Sequence, residues 1–267
     1  MSEGINKKAS FFEKISPFLV VIIILLAFAV GALWQKVANL EKGGTAKTAT
    51  TDTGTQAQPT IDISQIKGLF GKDLIKFGDE KRKLLIVEVS DPSCPYCHVA
   101  GGKDGELNKQ IGDRFTLVAD GGTYLAPVPE FKKLIDAKKA SFVYIYQNGH
   151  GNGELAMKAL YCAFEKDKFW EVHDLLYTNK GYNLINNEVK NDVTQAGKLA
   201  DFLKGAINAS DMKTCLESGR YDKRLTSDEA LATSLGISGT PGFYLNATNF
   251  AGAYSYTDMK TVVDAAL

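Results

Sequence analysis

The chain has no excess of either charge: 31 Lys and Arg stand against 31 Asp and Glu in 267 residues. Nucleic-acid binders carry a basic footprint, so nucleic acid is excluded as the expected partner. No internal repeat is present. The length therefore suits one generous domain or two small ones rather than stacked units. Cysteine is scarce, with only Cys94, Cys97, Cys162 and Cys215. The even count suits an oxidising compartment without proving one, and four cysteines allow three full pairings. Long hydrophobic runs are missing everywhere except residues 15–35, which hold no charge over 21 positions. Residues 41–60 (EKGGTAKTATTDTGTQAQPT) have almost no large apolar side chains, which excludes a packed core there.

The one apolar run is long enough to matter. At 1.5 Å per residue it makes a helix of about 31 Å, against a hydrocarbon core of about 30 Å. Trp34 stands at its outer end, where an amphipathic ring favours the interface. Lys7, Lys8 and Lys14 precede it, and this weak bias puts the N-terminus inside. A cleaved signal peptide is the competing reading, but the run is long for one and lacks a convincing cleavage site. The expected organisation is a short cytoplasmic tail (1–14), a single-pass anchor (15–35), a flexible tether (36–60) and a folded domain (61–267) on the outer face.

Within that domain, residues 83–89 (KLLIVEV) and 140–146 (ASFVYIY) read as buried strands. Residues 129–138, 154–176, 187–206, 210–217, 222–235 and 257–266 read as helices, residues 243–245 and 249–253 as a hairpin, and residues 115–118 as a short extra strand. The glycines between 99 and 127 break any long helix there. The fold class expected is α/β, with an all-helical insertion over about 152–235. Phe169, Trp170 and Tyr177 read as core of that insertion, and His173 as a packed or surface histidine rather than a ligand.

The chemistry centres on Cys94-Pro95-Tyr96-Cys97-His98, placed where a strand hands over to a helix. Pro95 suits the first helical turn, where its missing N–H costs nothing. A cysteine at that N-terminus meets free N–H groups and the positive end of the helix dipole, both of which favour thiolate. CxxC cysteines of this kind reach a pKa of about 7 or below. Cys94 is then the exposed nucleophile, Cys97 the resolving partner one turn in, and His98 a nearby positive charge when protonated. The same five residues also fit the C-x-x-C-H signature of covalent haem, with Met157 or Met212 as a second axial ligand. A zinc site would need a fourth ligand beyond Cys94, Cys97 and His98.

A second feature lies far downstream, Ile237-Ser-Gly-Thr240-Pro241. Together, VEVSDPSCPYC, KALYCAFEKDKFWEVHDLLY and RYDKRLTSDEALATSLGISGTPGFYLN resemble the thioredoxin superfamily. Within it they are most similar to the bacterial DsbA-like disulfide oxidoreductases, especially the membrane-anchored or secreted branch, over about residues 70–267. The resemblance implies a thioredoxin-like fold with a helical insertion, and no cofactor or metal. It makes Cys94 the attacking cysteine, Cys97 its buried partner, and Pro95 and Tyr96 the pair that tunes the potential. It makes Pro241 a cis-proline facing the CxxC, Thr240 a backbone partner for extended peptide, and Glu88 an acidic proton relay below the site, with a solvent-facing strand residue as the alternative for Glu88. Some relatives carry a histidine at the place of Tyr96, so strong oxidising power is not implied. The implied partners are exported proteins with free thiols or disulfides, and a membrane quinone-linked oxidase that restores the disulfide. The rival functions are a reductase or isomerase on the same fold and a non-catalytic, chaperone-like binding module. Cys162 and Cys215, both in the expected insertion, read as a structural disulfide, with two buried thiols as the alternative. Residues 99–127 depart from the relatives' pattern, and either shape the substrate groove or decorate the far edge.

Overall fold

The computed structural model describes residues 61–267, so the expected tail, anchor and tether lie outside the described residues. The chain opens with helix α1 (Ile63–Leu69) and strand β1 (Ile75–Phe77). Then come β2 (Leu84–Ser90), α2 (Pro95–Gly101), α3 (Gly105–Ile111), α4 (Pro127–Asp136) and β3 (Ala140–Tyr146). Five helices follow: α5 (Glu154–Phe164), α6 (Phe169–Leu176), α7 (Asn179–Asn183), α8 (Ala196–Leu203) and α9 (Ala209–Glu217). Helix α10 (Asp222–Ser234) leads back to the sheet, where the β4 (Gly242–Leu245) and β5 (Thr248–Ala251) hairpin and α11 (Tyr256–Ala266) close the fold.

The sheet order is β1-β3-β2-β4-β5. The two central strands, β2 and β3, run parallel, and the remaining pairs are antiparallel. Every residue of β2 and β3 is buried. That is why both read as continuous apolar runs: helices cover both faces. Period-2 alternation sorts their side chains. Leu85, Val87 and Val89 enter the smaller core with Ile66, Leu69 and Leu235. Leu84 and Ile86 enter the larger core, with Phe131, Phe142, Tyr144 and the insertion. Glu88 and Ser90 belong to the second set by parity, and both are wholly buried.

This is the expected thioredoxin-like α/β core with an inserted helical subdomain. Several local expectations are corrected. Residues 115–118 form no strand: 3-10 turns at Asp113–Phe115 and Val118–Asp120 stand there, with a single bridge from Leu117 to Tyr124. The Asn108 side chain caps the Phe115 carbonyl at 3.0 Å, which folds this stretch back on itself. The expected helix at 154–176 is two helices, because Asp167 turns into the left-handed region at φ 55°. The expected helix at 187–206 starts only at Ala196. Before it, a π-helical segment (Leu184–Val189) ends at Lys190 with φ 49°, and the Asp192 side chain caps a 3-10 turn (Val193–Gln195). Asn and Asp side chains compete with the helix for backbone groups, which apolar periodicity does not reveal. Helix α1 and strand β1 went unread in the sequence.

Candidate active site

Strand β2 ends at Ser90, and the loop Asp91-Pro92-Ser93 delivers Cys94 as the N-cap of α2, with Pro95 at the first turn. The helix is short because Gly102 ends it in the left-handed region at φ 62°. A Cβ there would also lie 2.4 Å from the Ala126 side chain. Both thiols are free, Cys94 at 4% exposure and Cys97 at 0%. Across the cleft the Thr240–Pro241 bond is cis, and the Cys94 thiol lies 3.4 Å from the Thr240 carbonyl oxygen.

The two sulfurs are electrostatically unequal. Cys94 is lowered to about 6, chiefly by hydrogen bonding from the Cys97 thiol. The Thr240 side chain and the N–H groups of Cys97 and Tyr96 act in the same direction, and burial opposes them. Cys97 is pushed well above the ordinary thiol range by burial and by the Cys94 charge beside it. One sulfur is thus a ready thiolate at neutral pH and the other a strong base once expelled from a disulfide.

His98 corrects an expectation. It is wholly buried, and burial drops it to about 4. It therefore adds no positive charge near Cys94 at neutral pH. Its Nε2 lies 2.8 Å from the Pro92 carbonyl oxygen and its Nδ1 3.2 Å from that of Tyr177. Both ring nitrogens are turned to carbonyls, so the haem and zinc readings lose their histidine ligand. Met157 and Met212 are core residues of the insertion.

Glu88 is wholly buried, and burial raises it to about 8. It pairs in register with Tyr144 on β3 and Phe243 on β4. From sequence Tyr177 is insertion core; in the structure its phenol also bonds the Ser90 hydroxyl at 3.0 Å and the Tyr144 phenol at 2.7 Å.

Sequence reasoning missed Asp91. Its wholly buried carboxylate accepts from Ser93 N–H and Oγ–H and from the N–H groups of Gly149 and His150, all at 2.8 Å. It ties the CxxC loop to the turn after β3. A Cβ on Gly153 would fall 1.8 Å from its Oδ1, so that turn needs its glycine. The partners come from distant loops and leave no signal in sequence spacing.

A cleft of about 710 Å³ opens beside Cys94's neighbours, lined by Tyr96 and Thr240, by Arg114, Phe115 and Tyr124, and by residues 251–255 at and beyond the end of β5. Residues from the 99–127 stretch therefore help to wall this cleft. Tyr96 is 42% exposed and meets the Phe115 ring edge-on at 5.9 Å. In the insertion, Cys162 on α5 and Cys215 on α9 form a disulfide.

The family profile described as Thioredoxin matches residues 128–265, more than half of the chain. A Rickettsia felis protein provisionally named a protein-disulfide oxidoreductase is 23% identical over 220 residues, covering 79% of this chain and 67% of the relative. The crystal structure of oxidised BdbD from Bacillus subtilis superposes with a TM-score of 0.53 at 22% identity, over 72% of this chain and 91% of that one. Wolbachia pipientis α-DsbA1 gives 0.53 at 17% identity, over 73% and 90%. At these identities the solved structures speak for the fold.

Proposed function

This chain belongs to the thioredoxin family, and we propose that it is a thiol–disulfide oxidoreductase that oxidises cysteine pairs in exported proteins through Cys94 and Cys97. The observation that carries the proposal is the inequality of the two sulfurs: a low-pKa Cys94 at a helix N-cap, 3.4 Å from the carbonyl before Pro241, with Cys97 buried behind it. A substrate thiolate attacks Cys94 of the Cys94–Cys97 disulfide, and the electron pair of the broken bond goes to Cys97. A second substrate thiolate then attacks the substrate sulfur of that mixed disulfide, forming the substrate disulfide and expelling Cys94 as thiolate. The substrate loses two electrons and the enzyme gains them as a dithiol. The stability of the Cys94 thiolate favours this direction, since a low-pKa thiol leaves readily. The extended substrate chain lies along Thr240 and Pro241 and into the adjoining cleft. Glu88 serves Cys97 as a proton source, Pro95 and Tyr96 tune the potential, and Cys162–Cys215 is a structural staple.

Residues 15–35 anchor the chain, with the N-terminus inside and residues 36–60 as a tether. This holds the catalytic domain beside newly exported chains and beside a membrane quinone-linked oxidase that restores the disulfide. The apolar length and the lysines before it support this arrangement.

Trapping tests the reaction. In cells, Cys97→Ala accumulates mixed disulfides between Cys94 and exported proteins, visible as thiol-sensitive high-mass bands; if none form, the oxidoreductase reading is wrong. The potential of the purified couple tests direction: a value nearer about −120 mV than about −270 mV supports oxidation, and the reverse assigns a reductase.

A further inference from the structure

The cleft beside the cysteine pair is lined by a cation that the fold does not use. Arg114 stands exposed in the 3-10 turn Asp113–Phe115, its guanidinium 4.5 Å from the centre of the Phe115 ring. The other arginines are all engaged: Arg82 with the Ala140 carbonyl, Arg220 with Glu165, and Arg224 with Asp73 at 3.2 Å. Among the described residues Arg114 has no ion pair and no side-chain hydrogen bond. A guanidinium is a planar fork of donors that matches a carboxylate, and this fork is open.

The wall that carries it is tied down on both sides. Phe115 packs with Val99 of α2, Tyr124 and Ala126 in a small core of their own. The stretch folds back through Val118 N–H to the Tyr124 carbonyl and Tyr124 N–H to the Thr116 carbonyl, both at 3.0 Å. It is then joined to the segment after β5. The Leu125 N–H donates to the Ser255 hydroxyl at 3.1 Å, and the Tyr256 N–H to the Leu125 carbonyl at 2.7 Å. The Tyr124 phenol donates to the Tyr254 carbonyl at 3.3 Å. Arg114 is therefore presented from a fixed backbone, with its head held over a ring. Less ordering entropy is then lost when a ligand binds it.

We infer that Arg114 is a specificity-determining residue that pairs with a carboxylate of the substrate. The preferred substrates are then reduced chains with an aspartate or glutamate about three residues from the cysteine that attacks Cys94. This deepens the exchange reading proposed above and rests on it. Position sets the spacing. The Phe115 ring lies 5.9 Å from the Tyr96 ring, and the guanidinium 4.5 Å from Phe115. The cation is thus within about 10 Å of Tyr96, the reach of three extended residues at about 3.3 Å each. Thr240, whose carbonyl oxygen is 3.4 Å from the Cys94 sulfur, lines the same cleft, so a chain laid against it enters the space that Arg114 borders. The other charged group of the lining is Asp258, whose carboxylate already accepts from the Ser255 N–H at 3.1 Å. Its charge disfavours an acidic side chain at that end, so an acid is accepted at the Arg114 end alone.

The test uses the full chain with its Cys94–Cys97 disulfide formed, and reduced two-cysteine peptides that differ at one kind of position. They carry Glu, Gln or Lys at the third residue on both sides of the first cysteine. The rate constant for oxidation of each peptide at low salt is divided by its rate with hydroxyethyl disulfide, which removes the effect of the substitution on the peptide thiol itself. In the parent the Glu peptide exceeds the Gln peptide by about 5-fold, the scale of a partly exposed ion pair, and the Lys peptide falls below both. Salt at about 1 M narrows the spread. Arg114→Gln brings the three peptides together, and Arg114→Glu reverses their order. Each preference is a ratio within one protein, so a partly unfolded variant cannot produce a reversal. The inference is overturned if the parent oxidises the Glu and Gln peptides equally. It is also overturned if Arg114→Gln keeps the parent order, which would assign the reading of charge to another group. A parent disulfide that oxidises none of the peptides would sink the exchange reading itself, and this inference with it.

Discussion

Glu88 and His98 are both wholly buried within ten residues of each other along the chain, and burial moves their protons in opposite directions. Glu88 keeps its proton in the folded state up to about pH 8, whereas an ordinary glutamate loses it near 4.5. Its contribution to stability is therefore full below 4.5 and is lost as pH rises through about 8. His98 stays neutral in the folded state down to about 4, whereas an unfolded histidine takes a proton near 6.5. Its contribution is full above 6.5 and is lost as pH falls toward 4. Replacing Glu88 by Gln removes the first loss. Denaturant unfolding should find Glu88→Gln close to the parent at pH 4 and more stable than it at pH 9. The gap between 4.5 and about 8 sets an upper scale of about 5 kcal/mol for that gain. A difference independent of pH would contradict the assignment. The residue types at these positions were legible, but their protonation was not, because it depends on which helices cover the strand.

At the scale of elements, the informative pieces are the short α2 and the stretch after it. The CPYC motif, the strand before it and Pro241 were all visible in sequence because their chemistry is local: apolar β-branched runs, a proline at N1, a Gly-Thr-Pro turn. The end of α2 at Gly102 and the folding of residues 103–126 were not, since they follow from a close approach to Ala126 and from side-chain bonds such as Asn108 to the Phe115 carbonyl. That stretch carries Arg114, Phe115 and Tyr124 to the cleft beside Tyr96 and Thr240. Arg114 also lies over the Phe115 ring at 4.5 Å. Removing the ring should affect peptide substrates and spare small thiols. Phe115→Ala is expected to raise the KM for a reduced two-cysteine peptide by about 10-fold, the scale of a lost aromatic contact, with the dithiothreitol rate unchanged. Equal losses with both would place the effect at the cysteines instead.

At the scale of the whole domain, the helical insertion is held to the sheet by specific bonds as well as by apolar burial. Asp228 on α10 is buried, and accepts from the Tyr161 phenol of α5 at 2.7 Å and from the Tyr146 N–H at the end of β3 at 3.2 Å. The Cys162–Cys215 bond closes a separation of 53 residues within the insertion. In the chain-entropy model such a closure stabilises the fold by about 4 kcal/mol. The double variant Cys162→Ser, Cys215→Ser should therefore melt lower by about 10 °C, with Cys94 reactivity retained if the insertion still packs. An unchanged melting temperature would mean that the bond does not stabilise the domain.

The apolar runs of the two buried strands, the closing hairpin and helix, and the CxxC with its distant Pro241 were determined by the amino-acid sequence alone, because burial, periodicity and turn chemistry act over a few residues. The tertiary structure decided the electrostatic character of the site. It placed Cys97, Glu88 and His98 out of water, set Ser90 and Tyr177 together from strand and insertion, and turned Asp91 toward a turn nearly sixty residues away. Desolvation and hydrogen bonding depend on what surrounds a group in space, and those neighbours come from segments that the sequence keeps far apart.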